Sequence, residues 1–206
     1  MMRFAGCVAA SVLAWSGAQA AVVYDESISG DFSNTGASPT AVTVGEGSNK
    51  IIGTTGADTV PNTKDYFTFT VPVGLALAHL VVLPGTNAAP GAPGGQLTFL
   101  GIQAGDTVTA DGAGGSAAGL LGYVLFNAGN IGIDLLPAIG AAGLGATGFL
   151  PPLGPGDYSF WIQDTSGGTA NYVLDLQLVT EPAPWMLLLG GVAGAGLLRR
   201  WSRAAA

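Results

Sequence analysis

Alternation of apolar and polar side chains, not a helical period, organises the interior of this chain. In DYFTFTV (65–71), Phe67, Phe69 and Val71 fall on one face and Tyr66, Thr68 and Thr70 on the other. That is the period-2 signature of a half-buried strand. DYSFWIQD (157–164) repeats it, with Tyr158, Phe160 and Ile162 opposite Ser159, Trp161 and Gln163. NYVLDLQLV (171–179) repeats it again, setting Tyr172, Leu174, Leu176 and Leu178 against Val173, Asp175 and Gln177. Further strands are predicted at 40–44 (TAVTV), 75–83 (LALAHLVVL), 96–102 (QLTFLGI) and 120–127 (LLGYVLFN). The run 75–83 is rich in Leu and Ala, which also suit a helix. Pro72, Gly74 and Pro84-Gly85 limit its length, and its two apolar faces read as a central strand inside a sandwich.

Between the strands lie Gly/Ala/Pro-rich stretches at 84–95, 110–119 and 137–157. They read as punctuation, not as packed structure. Their glycines follow no fixed period, which argues against a solenoid or a calcium-binding roll.

Composition narrows the class. The chain has 206 residues, 49% hydrophobic and only 9% charged, with 34 glycines and a net charge of −7. Once the termini are set aside, this is enough for one domain. Between residues 21 and 180 there are twelve acidic residues against Lys50 and Lys64, a balance of −10, and no arginine. Such a surface cannot hold phosphates, so nucleic acid is excluded as a partner.

The first twenty residues, MMRFAGCVAASVLAWSGAQA, place Arg3 before an apolar run at 4–15 and end in Ala18-Gln19-Ala20. This is the pattern of a secretory signal peptide, cleaved by signal peptidase after Ala20, and its apolar run is short for a retained span. Cys7, the single cysteine, lies inside it. The mature chain therefore has no thiol for disulfides, metal ligation or nucleophilic catalysis.

The inventory for enzymatic chemistry is thin. His79, the one histidine, shares the face of Leu75, Leu77, Val81 and Leu83 and reads as a packed core residue. No Gly-x-Ser-x-Gly elbow surrounds a serine, and the domain's glutamates are Glu26 and Glu46. No catalytic residues are assigned, and a non-enzyme is expected. Calcium, which needs only oxygen ligands, is the one cofactor considered, at Asp106, Asp111, Asp157 and Asp164. All four stand beside glycine or turn residues, and turn-building explains them equally. Trp161 and Tyr66, on outward strand faces, are candidates for stacking on sugar rings or for ordinary packing.

At the other end, Glu181-Pro182-Ala183-Pro184 leads into an uncharged run, Trp185 to Leu198, followed by Arg199, Arg200 and Arg203. Fourteen helical residues span ~21 Å, short of a ~30 Å hydrocarbon core unless the flanking Trp201 and arginines extend it. The arginines keep the tail in the cytoplasm and the preceding domain outside. This order of Glu-Pro, short glycine-bearing helix and arginine cluster resembles the PEP-CTERM sorting signal of exopolysaccharide-producing Gram-negative bacteria. The resemblance implies recognition by an exosortase, a membrane protease that releases its substrates to the exterior. Thr180 stands where the family has its first proline.

A second resemblance covers roughly residues 60–179. Asp65–Val71, Leu153-Gly154-Pro155-Gly156-Asp157-Tyr158 and Tyr172-Val173-Leu174 are similar to the opening strand, turn and closing strand of the bacterial pre-peptidase C-terminal domain. It implies a binding or accessory module. The expected organisation is a signal peptide (1–20), an all-β, jelly-roll-like β-sandwich (21–180) and a sorting segment with a short transmembrane helix (181–206). The expected function is that of a non-enzymatic exported surface or extracellular-matrix protein, associated with exopolysaccharide. The alternative is a calcium-dependent or carbohydrate-binding module at the cell envelope.

Overall fold

The computed structural model describes residues 20–56, 64–87, 97–141, 143–165 and 168–181. Within them the chain is all-β apart from short helical turns. The strands are β1 (Ala21–Asp25), β2 (Thr40–Ala41), β3 (Gly47–Gly56), β4 (Asp65–Val71), β5 (Leu75–Val82), β6 (Thr98–Ala104), β7 (Gly122–Phe126), β8 (Gly156–Asp164) and β9 (Thr169–Thr180). One sheet runs β1-β3-β9-β5 and the other β2-β4-β8-β6-β7. Both are mixed: β1 is parallel to β3 and β2 to β4, while the other pairs are antiparallel. The expected signal peptide and apolar C-terminal helix fall at 1–19 and 182–206, outside the described residues. Among those described, no helix is long and apolar enough to cross a membrane.

The alternation places the core where it was expected. Phe67, Phe69, Val71, Phe160 and Ile162 of one sheet join Tyr172, Leu174, Leu176 and Leu178 of the other in a single buried cluster. Phe67 stacks on Phe160 with centroids 5.0 Å apart, in register across the β4–β8 ladder. Side chains from both inner faces thus fill the space between the sheets, as sandwich packing requires.

Three expectations need correction. The run 75–83 forms an edge strand, not a central one. Its free side is covered by loop backbone: Leu77 and Leu153 exchange two hydrogen bonds, and Leu80 and Val82 accept from Leu135 and Gly132. Covering an edge in this way prevents pairing with another chain. The same strand carries a bulge between Leu77 and His79, which lets Leu77 and Leu80 both face inward. A bulge reverses the faces of the residues beyond it, so His79 emerges at 52% exposure and is not a core residue.

The second correction concerns 40–44, where only Thr40–Ala41 is strand, although Val42 and Val44 still enter the core. The third concerns the glycine-rich stretches, which pack as well as punctuate. Val108, Ala110, Ala117 and Leu120 form a second apolar cluster with Tyr66 and Trp161 on the outer face of the β2–β7 sheet. Helix α2 (Leu136–Gly140), inside the stretch 137–157 apart from its first residue, buries Leu136 and Ile139 in the main core.

Candidate functional site

The first candidate grows from β1 and the turn after it. Asp25 caps a one-turn helix, α1 (Glu26–Ser29), by accepting from the Ser27 N–H, and Gly30 closes it at φ 92°. The chain is then pinned by Phe32, which is buried and stacks between Tyr24 (4.2 Å) and Phe67 (5.0 Å). Backbone pairing continues as the Tyr66 N–H donates to Ser33 O at 2.9 Å. These contacts set Glu26 and Asp31 beside Asp65, the first residue of β4.

Carboxylate oxygens of Glu26, Asp31 and Asp65 lie within 4.8 Å of one another. The Glu26 carboxylate is held from both sides, Oε1 accepting from the Phe32 N–H (3.1 Å) and Oε2 from the Thr54 N–H (2.5 Å). Asp65 is 0% exposed, and neither of its oxygens completes a hydrogen bond. The Tyr172 hydroxyl stands beside it, also buried and also without a completed bond. That hydroxyl occupies the space over Gly53, where a Cβ would come within 2.3 Å of it.

Burial, then the Glu26 charge, pushes the Asp65 carboxyl up to about 9, against the opposing pull of Tyr172. Burial and the Asp31 charge raise Glu26 to about 7, although the Phe32 and Thr54 N–H groups favour its ionised form. Among the described residues, no cation figures in the groups acting on either. Glu26 also lines an open cleft of about 300 Å³ with Asp25, Gly53, Thr54, Gly85 and Asn171, which connects this corner to solvent.

The second candidate lies on the outer face of the other sheet. A cleft of about 310 Å³ is lined by Phe99, Tyr123, Leu125 and Trp161, with Lys64, Asp111, Ser116 and Gln163 among its polar groups. Phe99 meets Trp161 edge-on at 4.9 Å and stacks on Tyr123 at 5.8 Å. Trp161 donates through Nε1 to Gln163, and the Lys64 ammonium sits 5.7 Å from its ring. Gly112 presses on this ring so closely that a Cβ would lie 2.9 Å from it, so most of the indole is covered by the loop. Tyr66, stacked on the same ring at 5.9 Å, is buried too and offers no free face.

The four aspartates proposed for calcium do not converge. Asp157 and Asp164 stand at opposite ends of β8, about 23 Å apart at ~3.3 Å per residue. Asp157 accepts from Thr70 Oγ1 at 2.6 Å, Asp164 is buried, and Asp111 caps its own turn through the Ala113 N–H. Asp106 is exposed on the β6–β7 connection. Asp111 thus has a turn to cap and Asp157 a strand-end hydroxyl to accept from. His79 meets Asp134 through Nδ1 at 2.8 Å, and Asp134 also accepts from the Leu80 and Leu136 N–H groups. Glu181 lies at the edge of the described domain, its N–H donating to Gly74 O; Pro182, Arg199 and Arg200, like Ala18, lie outside it. Ala20 is the exposed residue just before β1.

The acidic trio went unread in the sequence, yet one signal was present: Asp65 has the same parity as Phe67, Phe69 and Val71, so the alternation points it inward. No protein-family model matches the chain, and neither a curated protein nor a solved structure is significantly similar to it.

Proposed function

We propose that this chain is a non-enzymatic exported protein of the cell surface or extracellular matrix, whose β domain is delivered by two terminal signals. The observation that carries the reading is where the domain starts and stops: β1 begins at Ala21, directly after the Ala18-Gln19-Ala20 site, and β9 ends at Thr180, directly before Glu181-Pro182. Removing 1–20 and everything from the apolar run onward leaves every described strand intact. A finer likeness to jelly-roll modules belongs to the same reading, supported by the chain's repeated crossing from one sheet to the other between β1 and β6. The test is a Glu181-Pro182→Ala-Ala variant in a host carrying an exosortase. It should stay in the membrane fraction with its tail attached, while the parent is released; equal release of both would refute the sorting role.

A second reading, carbohydrate binding at the matrix, is favoured by the cleft beside Phe99, Tyr123 and Trp161, where aromatic edges stand next to an amide, an acid and an ammonium group. Polar groups of that kind orient a sugar against a ring. Calorimetric titration with oligosaccharides from the producing strain's own exopolysaccharide tests it. Heat that is lost in Gln163→Ala supports the reading, and the absence of heat with the parent removes it.

A further inference from the structure

We propose that Glu26, Asp31 and Asp65 form a calcium-binding site that fastens the N-terminal segment to the sandwich. Two independent observations carry this. The first is the convergence, within 4.8 Å, of three carboxylates from two segments of the chain that lie more than thirty residues apart. Two oxygens bound to one calcium at 2.3–2.6 Å lie at most about 5 Å apart, so the spacing suits a shared ion.

The second is the state of Asp65. It is wholly buried, and among the described residues neither of its oxygens completes a hydrogen bond, the Tyr172 hydroxyl beside it being the one neighbouring donor that favours its ionised form. Buried carboxylates are ordinarily paired, hydrogen-bonded or coordinated to metal, and an orphan of this kind calls for an explanation. A cation completing the trio supplies it. Among the described residues, the charges that act on Asp65 and Glu26 come from other acids, and no lysine does that work.

The donor set selects the ion. Three carboxylates with no imidazole or thiol are a hard oxygen site, suited to calcium and poorly suited to zinc or copper. Magnesium requires near-ideal octahedral geometry and gives up its water reluctantly, which a wholly buried ligand such as Asp65 does not favour. The open cleft beside Glu26 and the exposure of Asp31 give the ion a route in. Glu26 and Asp31 sit on the segment that follows β1, and Asp65 opens β4 of the other sheet. One ion would therefore cross-link the first strand and turn to the opposite layer of the sandwich. The site stands apart from the four aspartates considered from sequence, and it does not depend on the sorting reading.

The experiment uses the full chain, stripped with EGTA, desalted and titrated with calcium chloride in a calorimeter and in thermal melts. One calcium per chain is expected to bind with a Kd of about 10⁻⁵–10⁻³ M, the range from sensors to extracellular modules. At a hundredfold excess over Kd the melting temperature should rise by about 5–10 °C, by mass action on a domain of this size. Asp31→Asn, at an exposed position that leaves the core alone, should weaken binding at least tenfold. Asp65→Asn should melt in EGTA at or above the parent's temperature, because the amide is spared both a buried charge and the proton uptake that keeps the carboxyl neutral, and should lose the calcium-dependent rise. Asp106→Asn and Asp157→Asn should bind as the parent does. The proposal is overturned if calcium leaves the melt unchanged, if Asp31→Asn and Asp65→Asn both bind like the parent, or if magnesium binds more tightly than calcium.

Discussion

Replacing Gly122 by alanine places a methyl group where there is no room for one. Gly122 begins β7, and helix α2 lies directly over it: an added Cβ would sit 2.0 Å from the Ile139 carbonyl oxygen and 2.7 Å from its carbon. Favourable carbon contacts begin near 3.5 Å, so α2 must withdraw by roughly 1.5 Å. The obstruction is backbone, which cannot swing aside as a long side chain would. Ile139 and Leu136 are buried in the main core, and moving them loosens contacts beneath. Overpacking of this kind costs about 1–3 kcal/mol, and each kcal/mol is worth ~2–4 °C in a domain of this size, so the melting temperature should fall by about 2–12 °C. Gly45→Ala is the matched control. Neither glycine has a positive φ, and a Cβ on Gly45 meets nothing within 4 Å, so this variant should melt within about 1 °C of the parent or slightly higher. Parallel calorimetric scans decide the matter. If Gly122→Ala melts together with Gly45→Ala, α2 does not sit on β7 and the packing of the glycine-rich half is misdescribed.

Other consequences of the structure can be measured on the same preparations. Leu174→Ala and Phe69→Ala, each emptying a buried core position, should cost about 2–5 kcal/mol in urea titrations, whereas Val73→Ala, at 94% exposure, should cost almost nothing. Asp134→Ala strips an acceptor from two backbone N–H groups and should cost about 1–3 kcal/mol; His79→Ala loses only an exposed pairing and should cost under ~1 kcal/mol, so equal losses would refute this division. In EGTA, stability should fall as pH rises. Asp65 and Glu26 bind protons more tightly folded than unfolded, so their stabilising contribution is complete below about pH 4 and is lost as pH climbs through about 7 and then about 9, with Asp31, Tyr24 and Tyr172 as the other titratable groups facing them. Melts in pH 5 and pH 8 buffers should show the difference, and Asp65→Asn should remove most of it.

How far the fold was legible in the sequence depends on where each strand keeps its hydrophobic signal. β4, β8 and β9 carry theirs in their own alternation, and their inward faces are those that alternation predicts. β3 was invisible because GSNKIIGTTG has no such pattern. It is nonetheless the central strand between β1 and β9, and at Gly53 the space is filled by Tyr172 from its partner. β5 advertised two apolar faces that suit a central strand, but its outer side is satisfied by loop backbone, which periodicity does not encode. Its bulge moved His79 to the surface, and a one-residue insertion in register leaves no mark in composition. The acidic corner joins residues 26, 31 and 65, brought together by the packing of Phe32 on Phe67 and by the Ser33–Tyr66 bridge to β4. Of the three, only the inward parity of Asp65 could be read beforehand.

The central claim is that a folded β domain is trimmed at both ends and released. Intact-mass spectrometry of the protein recovered from culture medium tests it most directly. The account predicts a chain that begins at Ala21 and lacks Trp185 and everything after it. Released protein that retains Met1, or that still carries the Arg199-Arg200 tail, would contradict it.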